Sequence, residues 1–208
     1  MYLIKKVTFI FILSLALSCS SSGRNEIKRG EIYSSSSGLF SLKIPNDLSL
    51  GSRVSESNGS ISILDDFGGL YRIDYFRLSQ NFIEDSEKRK IPPLEILEYF
   101  SVGEFFNKTL LPFMPKAKIV STKTFQNDKG IYHLMLLFLP EGSSFTINGK
   151  RSDIHRAVVS IRIRDIVFLI HTQEKANIMG GEKKLSLEEM EKDLFSRAVS
   201  LIGTINVK

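Results

Sequence analysis

The sequence predicts an α+β domain: a mostly antiparallel sheet of about seven strands covered by two helices, an α/β/α sandwich. Three observations lead there. Seven short segments carry strand signals and are separated by turn residues. Two of these, residues 131–139 and 166–170, are apolar on both faces, so the sheet must be covered on both sides. Two further segments carry helical periodicity, and each helix can cover one face.

Taken in order, Leu39-Phe40-Ser41-Leu42-Lys43-Ile44-Pro45 alternates in part and stops at proline, a first strand. Residues 60–64 and 70–78 follow as strands joined through Phe67-Gly68-Gly69, a hairpin junction. Residues 79–90 are dense in charge around Glu84-Asp85-Ser86-Glu87-Lys88-Arg89-Lys90 and are expected as a solvated loop. Pro92-Pro93 then opens a helix reaching about Leu111, because proline suits a first turn. Ile96, Phe100, Gly103, Phe106 and Leu110 give it one stripe, and Pro112 and Pro115 close it.

Residues 117–125, 131–139, 155–163 and 166–173 supply four more strands. Asn127-Asp128-Lys129-Gly130 turns the first pair and Arg164-Asp165 the second, the latter without the glycine usually wanted in so tight a turn. Asn148-Gly149 predicts a small extra hairpin in the connection between the pairs. Ser186-Leu187-Glu188-Glu189 is a capping box, and Leu187, Met190, Leu194, Ala198 and Leu201 trace the face of a last helix, with Gly203 placed to end it.

The N-terminus has a different character. Lys5 and Lys6 precede an apolar run from residue 7 to 17, interrupted only by Thr8 and Ser14, which reads as a signal peptide. The run is too short to cross a hydrocarbon core, which takes roughly 20 residues. It ends in Leu15-Ala16-Leu17-Ser18-Cys19, and Cys19 is the only cysteine of the chain. This resembles the lipobox of bacterial lipoproteins, in the looser form of spirochaetes: Ala16, Leu17 and Ser18 precede the cysteine, with the leucine one step further back at Leu15. The resemblance implies that residues 1–18 are removed and that a diacylglycerol is attached to the thiol of Cys19, often with further acylation of the new amine. Two or three chains, at about 0.8 kcal/mol per buried CH₂, anchor firmly where one does not. The domain plan is therefore a signal peptide over 1–18, a lipidated cysteine and Ser-rich tether over 19–38, and one globular domain over 39–208. Some 19 tether residues reach roughly 25 Å.

Composition narrows the partners. The chain has 208 residues with 28 Lys+Arg against 23 Asp+Glu, and loss of the signal lowers the formal charge from +5 to +3. So mild a charge outside the cytoplasm excludes nucleic acid as the expected partner. With no second cysteine, the domain must be stable without an internal disulfide. The element order, with Gly-x-Phe-x-x-x-x-Pro running from Gly38 to Pro45, resembles the Mog1/PsbP-like α/β/α sandwich over most of residues 38–205. That resemblance implies a domain that binds protein partners and is mostly not an enzyme.

Chemistry is sparse. His133, His155 and His171 have no metal-ligand spacing, and no cofactor or metal is expected. If the strands of His133 and His171 pair, those two histidines converge. No serine stands in a Gly-x-Ser-x-Gly elbow, and the carboxylate pairs Asp65-Asp66 and Glu188-Glu189 read as a turn and a helix start. Met179-Gly180-Gly181-Glu182-Lys183-Lys184 lacks P-loop spacing, although a glycine pair ahead of a helix can take an anion. Arg151, Arg156, Arg162 and Arg164 form a basic patch or a solvated sheet edge. The expected function is that of a lipid-anchored envelope domain that binds a protein or another envelope component. The alternatives are an envelope hydrolase whose site assembles in space, using His133 or His171, and a carrier of a small hydrophobic ligand.

Overall fold

A computed structural model describes residues 28–48, 52–66, 69–143, 146–147, 149–173 and 185–208. The strands are β1 (Ile32–Ser34), β2 (Phe40–Lys43), β3 (Arg53–Ser57), β4 (Ser60–Leu64), β5 (Leu70–Arg77), β6 (Lys118–Asn127), β7 (Gly130–Leu139), β8 (Thr146–Ile147), β9 (Lys150–Arg151), β10 (Ile154–Ile163), β11 (Ile166–Gln173) and β12 (Asn206–Val207). The helices are α1 (Gln80–Lys88), α2 (Pro93–Glu98), a π-helix continuing it (Tyr99–Leu110), and α3 (Leu187–Thr204).

A seven-stranded antiparallel sheet, ordered β3-β4-β5-β11-β10-β7-β6, divides two hydrophobic layers. On one face α3 and the small sheet β1-β2-β12 cover Ile61, Ile73, Phe168, Ile170, Val159 and Leu134. On the other, α1, α2 and the π-helix cover Leu78, Val167, Leu169, Val158, Met135 and Leu137. The doubly apolar strands lie inside the sheet, β11 at its centre and β7 one in from the edge, as their patterns require.

The main sheet has the seven strands expected, but one of them is a different segment. The segment 39–45 leaves the main sheet: Gly38 turns at φ 70° and β2 pairs instead with β1 and β12. Phe40, fully buried, meets the rings of Tyr75 and Phe168 edge-on at 5.0 and 5.1 Å. The small sheet is thus pinned to the large one by a side chain whose burial is worth about 2–3 kcal/mol. The seventh strand of the main sheet is β3, turned into β4 by Asn58-Gly59 with Gly59 at φ 78°. β1 also shortens the expected tether, since Ile32, Tyr33 and Ser34 pair with Lys43, Leu42 and Ser41.

Residues 79–90 are not a loop. Ser79 caps α1 by accepting the Phe82 amide at 3.2 Å, Asp85 pairs with Arg89 one turn on, and Phe82 and Ile83 pack against the core. The charge run occupies the outer face of an amphipathic helix.

The helix from Pro93 changes its winding after Glu98. Twelve residues of π-helix are unusual, since this geometry mostly occurs as single turns. The buried side chains explain it: Phe100, Phe105 and Leu110 form one row at five-residue spacing, and Ile96, Ser101 and Phe106 a second. An i→i+5 ladder lays both rows on the sheet, whereas α-helical winding would rotate each successive member away. Gly103, expected in the stripe, lies off it and is half-buried.

The strands flanking the expected turns pair, although Phe67, Gly68 and Asn148 lie outside the described residues. Asn127 faces Gly130, Arg164 takes φ 57° without glycine, β8 pairs with β9, and Ser186 and Glu189 form the reciprocal capping box. α3 ends one residue past Gly203, at Thr204.

Candidate functional site

In an antiparallel sheet, residues paired across strands project from the same face. Arg72 pairs with His171, Arg156 with Gln173 and with Leu137, and Asp74 with Leu169, so all these side chains lie on the π-helix face. There they form a polar cluster at the boundary between the apolar layer and an open part of the sheet.

Asp74 is its centre. Its Oδ1 accepts from Arg72 Nε at 2.8 Å, and its Oδ2 lies 2.9 Å from His171 Nε2, within ion-pair range but off the line of a hydrogen bond. Burial pushes the Asp74 carboxyl up, but His171 and Arg72 outweigh it and hold the carboxyl at about 2. His171 is fully buried with the Phe105 ring edge-on at 4.6 Å, and its Nδ1 has no partner among the described residues. Burial lowers its pKa against the pull of Asp74, and Arg156 and Arg72 push the same way, so the ring is neutral at neutral pH.

Arg156 donates from Nη2 to Gln173 Oε1 at 2.7 Å, while its Nε, fully shielded, has no partner among the described residues. Burial brings the guanidinium down to about 10, with Arg72 adding to the effect and Asp74 opposing it, so it remains charged at neutral pH. The side chain is half-buried: its Nε is shielded, yet the residue still touches solvent. Arg72 has its side chain 40% exposed.

A row of hydroxyls adjoins the cluster. Ser62 pairs with Arg72 and Ser60 with Asp74, and across β3 Ser55 pairs with Ser62 and Ser57 with Ser60. These four serines occupy the π-helix face of β3 and β4, and all are half-buried or exposed.

The other sequence candidates are distributed as follows. β7 and β11 do not pair, because β10 lies between them, so His133 and His171 share a face on separate strands. His133 is buried with Nδ1 2.9 Å from Ser101 Oγ, and that hydroxyl donates to Leu97 O at 2.8 Å, so His133 Nδ1–H is the donor to Ser101. Burial lowers its pKa, with Glu98 opposing. His155 is on the opposite face, 5.4 Å from the Phe138 ring. Among the described residues no three of His, Cys, Asp and Glu gather as a metal set.

The arginine patch does not assemble, and β10 is interior, so it is no sheet edge. Arg162 Nε donates to Arg164 O in the β10–β11 turn, and Arg156, six residues back, joins Arg72 instead. Asp65 accepts the Gly69 amide at 2.6 Å, and Asp66 pairs with Arg53 at 2.7 Å. Cys19 and Met179 to Lys184 lie outside the described residues. Among the described residues no helix is long and apolar enough to cross a membrane.

No family model and no curated protein matches the sequence. Among solved structures, the solution structure of cyanobacterial PsbP (CyanoP) from Synechocystis sp. PCC 6803 superposes at TM-score 0.54 with 12% identity, over 92% of this chain and 98% of that one. The fold is PsbP-like. A crystal structure from Bacteroides thetaiotaomicron, 14% identical, covers 87% of this chain and 49% of the other at TM-score 0.32, too loose a likeness to carry the assignment.

Proposed function

We propose that this chain is a lipoprotein of a bacterial cell envelope, anchored by lipid on Cys19, whose PsbP-like domain binds a protein or another envelope component and is not an enzyme. The observation that carries the reading is Lys5-Lys6, the apolar run and Leu15-Ala16-Leu17-Ser18-Cys19 directly ahead of a polar stretch. Eight residues, 20–27, separate Cys19 from the first described residue, Lys28. Their fully extended length of at most about 28 Å keeps the domain close to the membrane surface.

A binding role is supported by the placement of the titratable groups. The histidine beside a carboxylate that a hydrolase would need is present as His171 and Asp74, but His171 is fully buried beneath Phe105, and among the described residues no hydroxyl is hydrogen-bonded to its ring. Ser101, hydrogen-bonded to His133, is fully buried and commits its proton to Leu97 O.

The test is Cys19→Ala in cells fed an alkyne fatty acid. The variant loses label and moves from the membrane to the soluble fraction; full membrane retention without Cys19 overturns the anchor.

A further inference from the structure

We propose that the polar cluster on β5, β11 and β10 binds an oxyanion, a phosphate or carboxylate group of a ligand, on Arg72 and Arg156, with the serines of β3 and β4 taking the ligand's polar remainder. The inference goes beyond membrane anchoring and does not depend on it.

Charge is the first argument. Among the described residues Arg72 and Arg156 share this corner of the sheet with one carboxylate, Asp74, and that carboxylate is held by Arg72 and faces His171. Arg156 has no acid within salt-bridge distance among the described residues. A guanidinium so placed, with a neutral amide on one nitrogen and nothing on Nε, is costly to keep unless a negative group completes it. Its planar fork suits the paired oxygens of a carboxylate or phosphate.

Access is the second. Arg156 retains contact with solvent, and Arg72 is 40% exposed. The third is the composition of the adjoining strands. Ser55, Ser57, Ser60 and Ser62 place four hydroxyls on one face of β3 and β4, on the side the helices leave open. On the opposite face the same strands carry Val54, Ile61 and Ile63 into the core. The alternation is that of a sheet with one dry and one wet face; among the described residues β3 and β4 carry no acid on the wet face, and the acids beside it, Asp74 and Asp66, are paired with Arg72 and Arg53.

The experiment uses the full chain in detergent, ¹⁵N-labelled at arginine, titrated with inorganic phosphate and separately with succinate. Vesicles of phosphatidylglycerol, against phosphatidylcholine, are added as competitors. Saturable shifts of the Arg72 and Arg156 Nε–H resonances are expected. Competition by phosphatidylglycerol alone assigns the oxyanion to a lipid headgroup, and lack of competition assigns it to a soluble ligand.

Ser62→Glu is the decisive variant. Ser62 sits directly across from Arg72 and is half-buried, so a carboxylate there reaches the guanidinium and occupies the site. Affinity is expected to fall at least about tenfold, with the thermal midpoint unchanged or raised. Arg156→Gln should abolish binding in whatever fraction folds. No saturable shift with either anion, or binding unchanged in Ser62→Glu, overturns the proposal.

Discussion

Replacing Asp74 by Asn removes the one negative group that holds Arg72 and faces His171, with little change in shape. A carboxyl titrating at about 2 in place of 3.8 corresponds to at most about 2 kcal/mol at neutral pH, since His171, one of the two groups that lower it, is neutral there. Losing one partner of a buried pair costs about 3–5 kcal/mol. Arg72 is 40% exposed and can turn to water, so the cost falls at or just below the bottom of that range, and Asp74→Asn should destabilise by about 2–3 kcal/mol at pH 7. The sign with pH follows from the lowered value: the contribution is complete above the unfolded carboxyl value and is lost as pH falls through the folded one. The gap between wild type and variant should therefore stay level from pH 7 to about 5 and close by about 2 kcal/mol between pH 4 and pH 2. The chain has no tryptophan, so urea unfolding is followed by far-ultraviolet circular dichroism. A variant as stable as wild type at pH 7, or a gap that persists at pH 2, would refute the reasoning.

His133 and His171 are both held below the usual histidine value by burial, so the unfolded chain binds more protons and stability should fall as pH drops below about 6.5; urea midpoints in Asp74→Asn that rise from pH 7 to 5 would contradict this. Phe105→Ala removes the ring over His171 and should cost about 3–5 kcal/mol with the His171 resonance moving upward in pKa, both readable by NMR. Gly103→Ala meets only Tyr99 Cδ2 at 3.7 Å and should stabilise by about 0.5–1 kcal/mol, whereas at Gly69 an added methyl falls 2.5 Å from Asp65 Oδ2 and should destabilise; thermal melts of the two variants would show opposite signs.

The sandwich was legible because its central strands announce themselves: residues 131–139 and 166–170 are apolar on both faces, and only two-sided cover suits such segments. β3 is faint in the sequence because Arg53-Val54-Ser55-Glu56-Ser57 carries one apolar residue, although Asn58-Gly59 is the same turn dipeptide as Asn148-Gly149 and marks it. The charge density of residues 84–90 masks α1, although Phe82 and Ile83 already supply an apolar side. The π-helix was present in the sequence as the five-residue spacing of Phe100, Phe105 and Leu110, obscured by a second set at three and four. The polar cluster was not legible at all. Arg72, Asp74, Arg156 and His171 come from three strands as much as 99 positions apart, and only the order β5-β11-β10 joins them.

The most direct test of the account is mass spectrometry of the N-terminal peptide of the protein purified from its own membranes. The expected peptide begins at Cys19 and carries the mass of a diacylglycerol, with or without a further acyl chain. An unmodified Cys19 inside a longer peptide, or one that begins elsewhere without lipid, would contradict the assignment.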